Sequence, residues 1–399
     1  MKPPLLFLCH RIPYPPNKGD KIRSYHLLKY LSRFYDLFLG GFIDDPVDFK
    51  HVSTLDEFCK ETNFVELNPK LSRIKSLFGL LTGEALTLPY YRSKQLQNWV
   101  KSVAKRHSID KLIVYSSAMA QYATYKNNPF DLRIIDFVDI DSDKWKQYAQ
   151  TKKWPMNWVY NREADLLLNF ERKIANDFDA SFFVSRAEAE MFKSLSQHSA
   201  PKVDFYSNGV DVDFFDPRKV NENPYSADAK PIVFTGAMDY WPNIDAVIWF
   251  SESVLPKLIE QNPKVRFYIV GGKPSDAVLK LAENPNIVVT GRVEDIRPYI
   301  KYSAVAVAPM RIARGIQNKV LEAMAMECAV VSSPQGYEGI EARVGGELLI
   351  ADQAQEWVKK ITDILASGQN EMGKAARMRV MDDYSWDGSL SRLNKSFDL

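Results

Sequence analysis

SAVAVAPMRIARGIQNKVLEAMAMECAVVSS, residues 303–333, is the stretch that decides the fold. Ser303 to Ala308 is a short apolar run stopped by Pro309, the pattern of a strand buried on both faces of a parallel sheet. Lys319 to Met326 has helical character, with Val320, Ala323 and Met324 on one face, and Ala329 to Val331 is a second buried strand. The loop between holds Arg311, Arg314, Gly315, Gln317, Asn318 and Lys319. Three cations thus meet a glycine turn at a helix N-terminus, where backbone N–H groups and the helix dipole favour an anion. Glu322 follows within one turn. The competing reading is an ordinary strand–loop–helix unit with solvated arginines.

The rest of the chain repeats this alternation. Strand-like runs occur at 5–9, 36–43, 63–67, 111–115, 133–138 and 180–184, with helical stretches between most of them. Residues 205–231 carry Asn208-Gly209 and then a polar, Pro/Asn-rich stretch without an apolar period, which reads as a linker. The alternation restarts at 232–235, 265–270 and 287–290, and each of these runs ends directly in glycine: Gly236, Gly271-Gly272 and Gly291. Such glycines let backbone or ligand approach closely at the carboxyl edge of a nucleotide-binding sheet. The expected fold is α/β, with two Rossmann-like, doubly wound parallel-sheet domains and an interdomain cleft. Residues 1–207 form the first domain, 208–230 the linker, 231–383 the second domain, and 384–399 a helix returning to the first.

Composition sets outer bounds. The chain has 399 residues, 46% hydrophobic and 26% charged, and a net charge of +2, the profile of a globular protein without a nucleic-acid signature. Residues 1–210 hold 30 Lys+Arg against 24 Asp+Glu, which hints at an anionic partner for the first half. Cys9, Cys59 and Cys328 lack metal-type spacing, and their odd number favours buried thiols in a reducing compartment. The opening apolar run is too short for a signal peptide and no segment is long enough to span a bilayer, so the expected location is cytoplasmic.

Three features of the first half carry chemistry. HRIPYPPNKGDKIRSYH (10–26) places Gly19, Asp20 and Arg23 between the first strand and first helix, where open α/β sheets bind ligands; the alternative is a plain turn with a capping aspartate. DFVDIDSDKW (136–145) ends its strand in Asp136, Asp139, Asp141 and Asp143. Carboxylates there face ligand clefts, and D-x-D spacing also occurs where a cation bridges a diphosphate; the alternative is that some of the four cap the next helix or are solvated. Finally, PKLSRIKSLFGLL (69–81) reads as one basic amphipathic helix. It either packs on its own domain, the favoured reading, or touches anionic lipid at the inner face of the membrane.

Taken together, SNGVD (207–211), TGAMDYWPNIDAVIWF (235–250), FYIVGG (267–272), TGRVEDIRPYI (290–300) and GIQNKVLEAMAMECAVVSS (315–333) resemble, in order, the retaining GT-B glycosyltransferases of family 4. HRIPYPPNKGDKIRSYH and RIARGIQNKVLEAMAM are similar to the branch associated with PEP-CTERM/exosortase exopolysaccharide systems. The resemblance implies a nucleotide-diphosphate sugar as donor, no metal or other cofactor, and a glycan or lipid-linked acceptor. It implies that Glu322 binds the nucleotide ribose, that Gly19 approaches the sugar and diphosphate, and that Gly315 forms the turn receiving the donor.

The sequence also departs from the family. The first Glu of the paired-Glu motif falls at Arg314, and no basic residue lies between Lys230 and Lys257, where a diphosphate clamp is usual. The family's histidine after a first-domain strand has no counterpart, leaving Asp139 or Asp141 as nearest candidates. Arg311, Arg314 and Lys319, with Arg292, are expected to supply the missing charge. A sugar-nucleotide epimerase of the same architecture and a non-catalytic sugar-binding scaffold are the rival functions.

Overall fold

The computed structural model describes all residues except 1, 17–18, 151, 314–315, 368–369 and 398–399. The chain forms two compact units, Met1–Ser207 with Leu390–Leu399, and Asn208–Ser389.

In the first unit the strands are β1 (Pro4–Cys9), β2 (Asp36–Ile43), β3 (Cys59–Glu66), β4 (Lys111–Tyr115), β5 (Leu132–Val138), β6 (Ala180–Phe183) and β7 (Val203–Phe205). They form one parallel sheet in the order β3-β2-β1-β4-β5-β6-β7. In the second unit β8 (Lys230–Thr235), β9 (Val265–Val270), β10 (Ile287–Gly291), β11 (Val305–Ala308), β12 (Val330–Ser332) and β13 (Leu349–Ile350) form a second parallel sheet. Its order is β10-β9-β8-β11-β12-β13. Both sheets reverse direction once, beside β1 and beside β8. At such a switch point the flanking loops part and leave a crevice at the carboxyl ends of the strands.

The apolar runs explain the layering. Leu5 to Cys9 and Leu37 to Ile43 are buried along their whole length, so helices must cover both sheet faces. The helix Asn318–Ala325 buries Val320, Leu321, Ala323, Met324 and Ala325 against the second core. Residues of the expected linker are tied to that unit. Asp216 lies 3.8 Å from Arg377, the Tyr225 hydroxyl donates to the Tyr299 carbonyl, and Lys301 and Tyr302 both donate to the Val220 carbonyl. At the other end, the residues after Leu390 belong to the first unit, where the Tyr30 hydroxyl donates to Asn394 Oδ1 at 2.6 Å and the Tyr35 hydroxyl to the Phe397 carbonyl at 3.1 Å.

Two elements differ from expectation. The segment expected as one helix over 384–399 is broken into Trp386–Leu390, Ser391–Leu393 and Asn394–Phe397, with its residues up to Ser389 in the second unit. Residues 69–81 form two helices, Pro69–Ser76 and Gly79–Thr82, rather than one. Asn68 caps the first by accepting from Lys70 and Leu71 N–H, and the chain then breaks at Leu77–Phe78.

Candidate functional site

In the second unit the switch point lies between β8 and β11, and the expected residues gather around it. Gly236 follows β8, Gly271 and Gly272 follow β9, and Lys319 opens the helix after β11. A Cβ built on Gly271 would lie 1.7 Å from the Gly236 carbonyl oxygen, and one on Gly236 would lie 2.7 Å from Asn243 Nδ2. Backbone therefore fills the space beside Gly271 and the Asn243 side chain that beside Gly236, and both glycines have φ +156°, which side chains rarely adopt. Gly271→Ala should lower stability by about 3 kcal/mol, as an overpacked core site does, and urea unfolding measures it. Gly272 is different: a Cβ there would make only ordinary contact with the root of the exposed Arg292.

Lys319 is half-buried beside this switch point. Its Nζ donates to Asn243 Oδ1 at 2.7 Å, lies 3.7 Å from Met310 Sδ and sits 4.9 Å from the centre of the Phe234 ring. Burial pulls its ammonium down to about 8, against the attraction of Glu322 one turn along the helix. Burial likewise pushes the Glu322 carboxyl up to about 7, with Lys319 opposing. Both side chains keep part of their surface open to solvent, so the two groups are desolvated but reachable. Asn318 and Gln317 form the start of this helix, whose first backbone N–H groups have no intrahelical partners.

Arg311 is ion-paired on the surface. Its guanidinium grips Asp245 through two bonds, Nε at 2.9 Å from Oδ2 and Nη2 on Oδ1, so its charge is already matched by a carboxylate from the helix Trp241–Ser253. Arg314 and Gly315 lie outside the described residues.

The first unit builds a second cluster at the ends of β1 and β4. Gly19 and Asp20 open the first helix as expected. Arg11 binds Asp20 at 2.5 Å and Asp44 at 2.7 Å, and His10 Nε2 lies 3.4 Å from the same Asp20 oxygen. The His10 ring stacks on Tyr115, centroids 5.8 Å apart, and the Tyr115 hydroxyl donates to the Asp20 carbonyl. Burial pushes the Asp20 carboxyl up, but the hydrogen bond from His10 and the charge of Arg11 more than offset this and hold it well below the ordinary range. His10 and Arg11 were not singled out from the sequence. Their signal was position alone, the two residues directly after the first buried strand.

Arg23 is corrected. It is fully buried, with Nε 2.8 Å from Asp136 Oδ2, Nη2 3.1 Å from Oδ1, Nη1 2.9 Å from the Tyr206 carbonyl, and its guanidinium 3.6 Å from the Tyr206 ring. It serves the core and has no surface to offer a ligand.

The aspartates after β5 are all engaged, and two of them, Asp139 and Asp141, share the Lys144 ammonium, at 2.7 and 3.6 Å. Asp136 pairs with Arg23, Asp141 also accepts from the Ser117 hydroxyl at 2.9 Å, and Asp143 accepts from Gln147. Asp139 and Asp141 thus converge on a lysine ammonium. Among the described residues no group of three or more His, Cys, Asp or Glu is placed for a metal ion. The strand ends are strained, however: Val138 has φ 72° and Ser116, at the neighbouring strand end, φ 80°. A β-branched residue in that region is rare, and such strain gathers at functional sites.

Comparison with known proteins agrees with the fold. Residues 229–367 match the family described as Glycosyl transferases group 1. A sucrose-phosphate synthase from Thermosynechococcus elongatus has a similar structure, with a TM-score of 0.67 at 16% identity over 100% of this chain and 98% of that one. HepE from Anabaena, solved in complex with UDP, gives 0.65 at 16% identity with both chains fully covered. A curated relative, an uncharacterized 44.6 kDa protein in the cps region of Klebsiella pneumoniae, is 22% identical over 93% of this chain and 94% of its own. The two parallel sheets and the matched domain define the class: the chain is a GT-B glycosyltransferase.

Proposed function

We propose that the chain is a retaining, metal-independent glycosyltransferase of family 4, in the branch associated with PEP-CTERM/exosortase systems. It works in the cytoplasm and moves a sugar from a nucleotide-diphosphate sugar to a glycan or lipid-linked acceptor in cell-surface polysaccharide assembly. The observation that carries the donor side is the Lys319–Glu322 pair at a helix start on the switch point of the second sheet. Support for a uridine donor comes from HepE, solved with UDP and UDP-glucose, and support for the polysaccharide role from the relative in a cps region.

The chemistry follows from charge. When the bond from the anomeric carbon to the diphosphate breaks, negative charge collects on the phosphate oxygens. The Lys319 ammonium and the N–H groups of Asn318 and Lys319 stabilise it, while the Glu322 carboxylate accepts from the ribose hydroxyls. Retention means that the acceptor oxygen bonds to the anomeric carbon on the face the diphosphate leaves, its hydroxyl proton passing to the departing diphosphate oxygen. Asp139 and Asp141, beside the strained end of β5, are the proposed acceptor-side carboxylates.

The donor reading fixes a pH profile. Glu322 must be ionised and Lys319 protonated, so kcat/KM should fall below pH about 7 and again above pH about 8. Because the two groups interact, the limbs belong to the pair rather than to either residue. A profile flat from pH 6 to 9, roughly a unit beyond each limb, would remove both groups from the site.

A thermal-shift screen of UDP, GDP and ADP and their sugars, with and without EDTA, tests the function. A ligand at 100 times its dissociation constant adds about 2.7 kcal/mol. Stabilisation by one base class, indifferent to EDTA, is the expected result. No shift with any nucleotide would favour the scaffold reading instead.

A further inference from the structure

The Pro69–Ser76 helix is built inside out. It buries Ser72 and Ser76, and Gly79 after it, while its large apolar residues face away from the protein. Ile74 is 61% exposed, Phe78 64% and Leu81 84%, with Leu77 also exposed. A helix that packed on its own domain would bury those residues and expose the serines. A second exposed apolar segment adjoins it. Trp154 is 81% exposed and Trp158 56%, at the start of the helix Met156–Asp177. Arg162, one turn beyond Trp158, donates from Nη2 to the Gly79 carbonyl at 2.7 Å and from Nη1 to the Glu84 carbonyl at 3.2 Å. Glu163 beside it accepts from the N–H groups of Leu86 and Thr87. The two segments are therefore fastened together by hydrogen bonds and form one surface.

The two apolar stretches themselves carry charge of a single sign. Residues 69–81 contain Lys70, Arg73 and Lys75, residues 146–158 contain Lys146, Lys152 and Lys153, and neither stretch holds an acid. Among the described residues no helix is long and apolar enough to cross a membrane.

We propose that this face seats the first unit on a lipid bilayer carrying anionic headgroups. Exposed Leu, Ile and Phe enter the boundary between headgroups and acyl chains. Tryptophans lie at that boundary, where an amphipathic ring is most stable, and the flanking cations meet lipid phosphates. A patch of this size left in water would invite aggregation, which a membrane surface relieves. The proposal stands on the surface itself and does not depend on the donor reading.

The test is sedimentation of the full chain with vesicles of phosphatidylcholine, with and without phosphatidylglycerol. Wild type should pellet with the anionic vesicles and release as salt rises. Each cation near an anionic surface contributes about 1 kcal/mol, so replacing Lys70, Arg73 and Lys75 together by Gln should weaken binding by about a hundredfold. Ile74→Ser with Phe78→Ser should abolish pelleting while the unfolding midpoint and any nucleotide-induced shift stay unchanged. The proposal fails if wild type ignores anionic vesicles or if the double variant binds as wild type does. It also fails if light scattering shows a dimer that the double variant converts to monomer, for then a second copy covers this face.

Discussion

Lys319→Ala is expected to lower kcat/KM for sugar transfer by about 10²–10³-fold, the usual cost of losing one group aimed at charge that develops in the transition state. The geometry explains why this lysine carries the burden. Arg311 is occupied by Asp245, and the stretch from Lys230 to Lys257 supplies no cation of its own. What that stretch supplies is Asn243, whose Oδ1 holds the ammonium 2.7 Å away at the carboxyl edge of the sheet. A lysine held for folding would behave differently from one held for a ligand. Burial makes the Lys319 charge unfavourable in the folded protein, so Lys319→Met should raise the unfolding midpoint at pH 7 while transfer collapses. The sign is set by the proton. Below pH about 8 the native lysine is charged and the stabilising effect of Met is full. As pH rises from about 8 towards 10.5 the native protein sheds the proton before the unfolded chain does, and the difference shrinks. Matched unfolding curves and initial rates for the two proteins separate the roles.

The second large effect is structural. Arg23→Met should destabilise the protein by about 3–5 kcal/mol, because it leaves the Asp136 carboxylate buried without its partner. The Tyr206 carbonyl loses its donor in the same change. Replacing both charges, Arg23→Met with Asp136→Leu, should recover part of that loss, since the remaining core then holds no uncompensated charge. Nucleotide affinity per folded molecule should be unaltered in either variant. Urea unfolding gives the first quantity and titration of the folded protein the second. A loss of nucleotide affinity without a loss of stability would return Arg23 to the donor site.

These two residues also mark where the sequence was legible and where it was not. The buried strands could be read almost to the residue, as at Asp36–Ile43, because a strand covered on both faces leaves a nearly unbroken apolar run. The helix after β11 was equally clear, since its apolar spacing and the glycine turn before it are local signals. Arg23 was misplaced for the opposite reason. Its position beside Gly19 suggested a ligand, while its partner Asp136 lies 113 residues away and no local pattern announces such a pair. The partner of Arg311 was hidden in the same way, Asp245 being 66 residues distant. His10 was passed over because the residue directly after a strand has no period to betray it. In the 69–81 stretch the amphipathic pattern was real, but spacing alone cannot say whether the apolar face turns toward the core or away from it. The small residues Ser72, Ser76 and Gly79 along the opposite face were the available clue.

The most direct test of the donor site is calorimetric titration of the preferred nucleoside diphosphate into wild type, Lys319→Ala and Glu322→Gln at pH 7.5, between the two titrations near 7 and 8. Hydrogen bonds to charged groups contribute about 1.5–3 kcal/mol, so each variant should bind about 10- to 100-fold more weakly than wild type, with unfolding midpoints no lower than its own. Equal affinity in all three proteins would contradict the account and move the nucleotide away from the β8–β11 switch point.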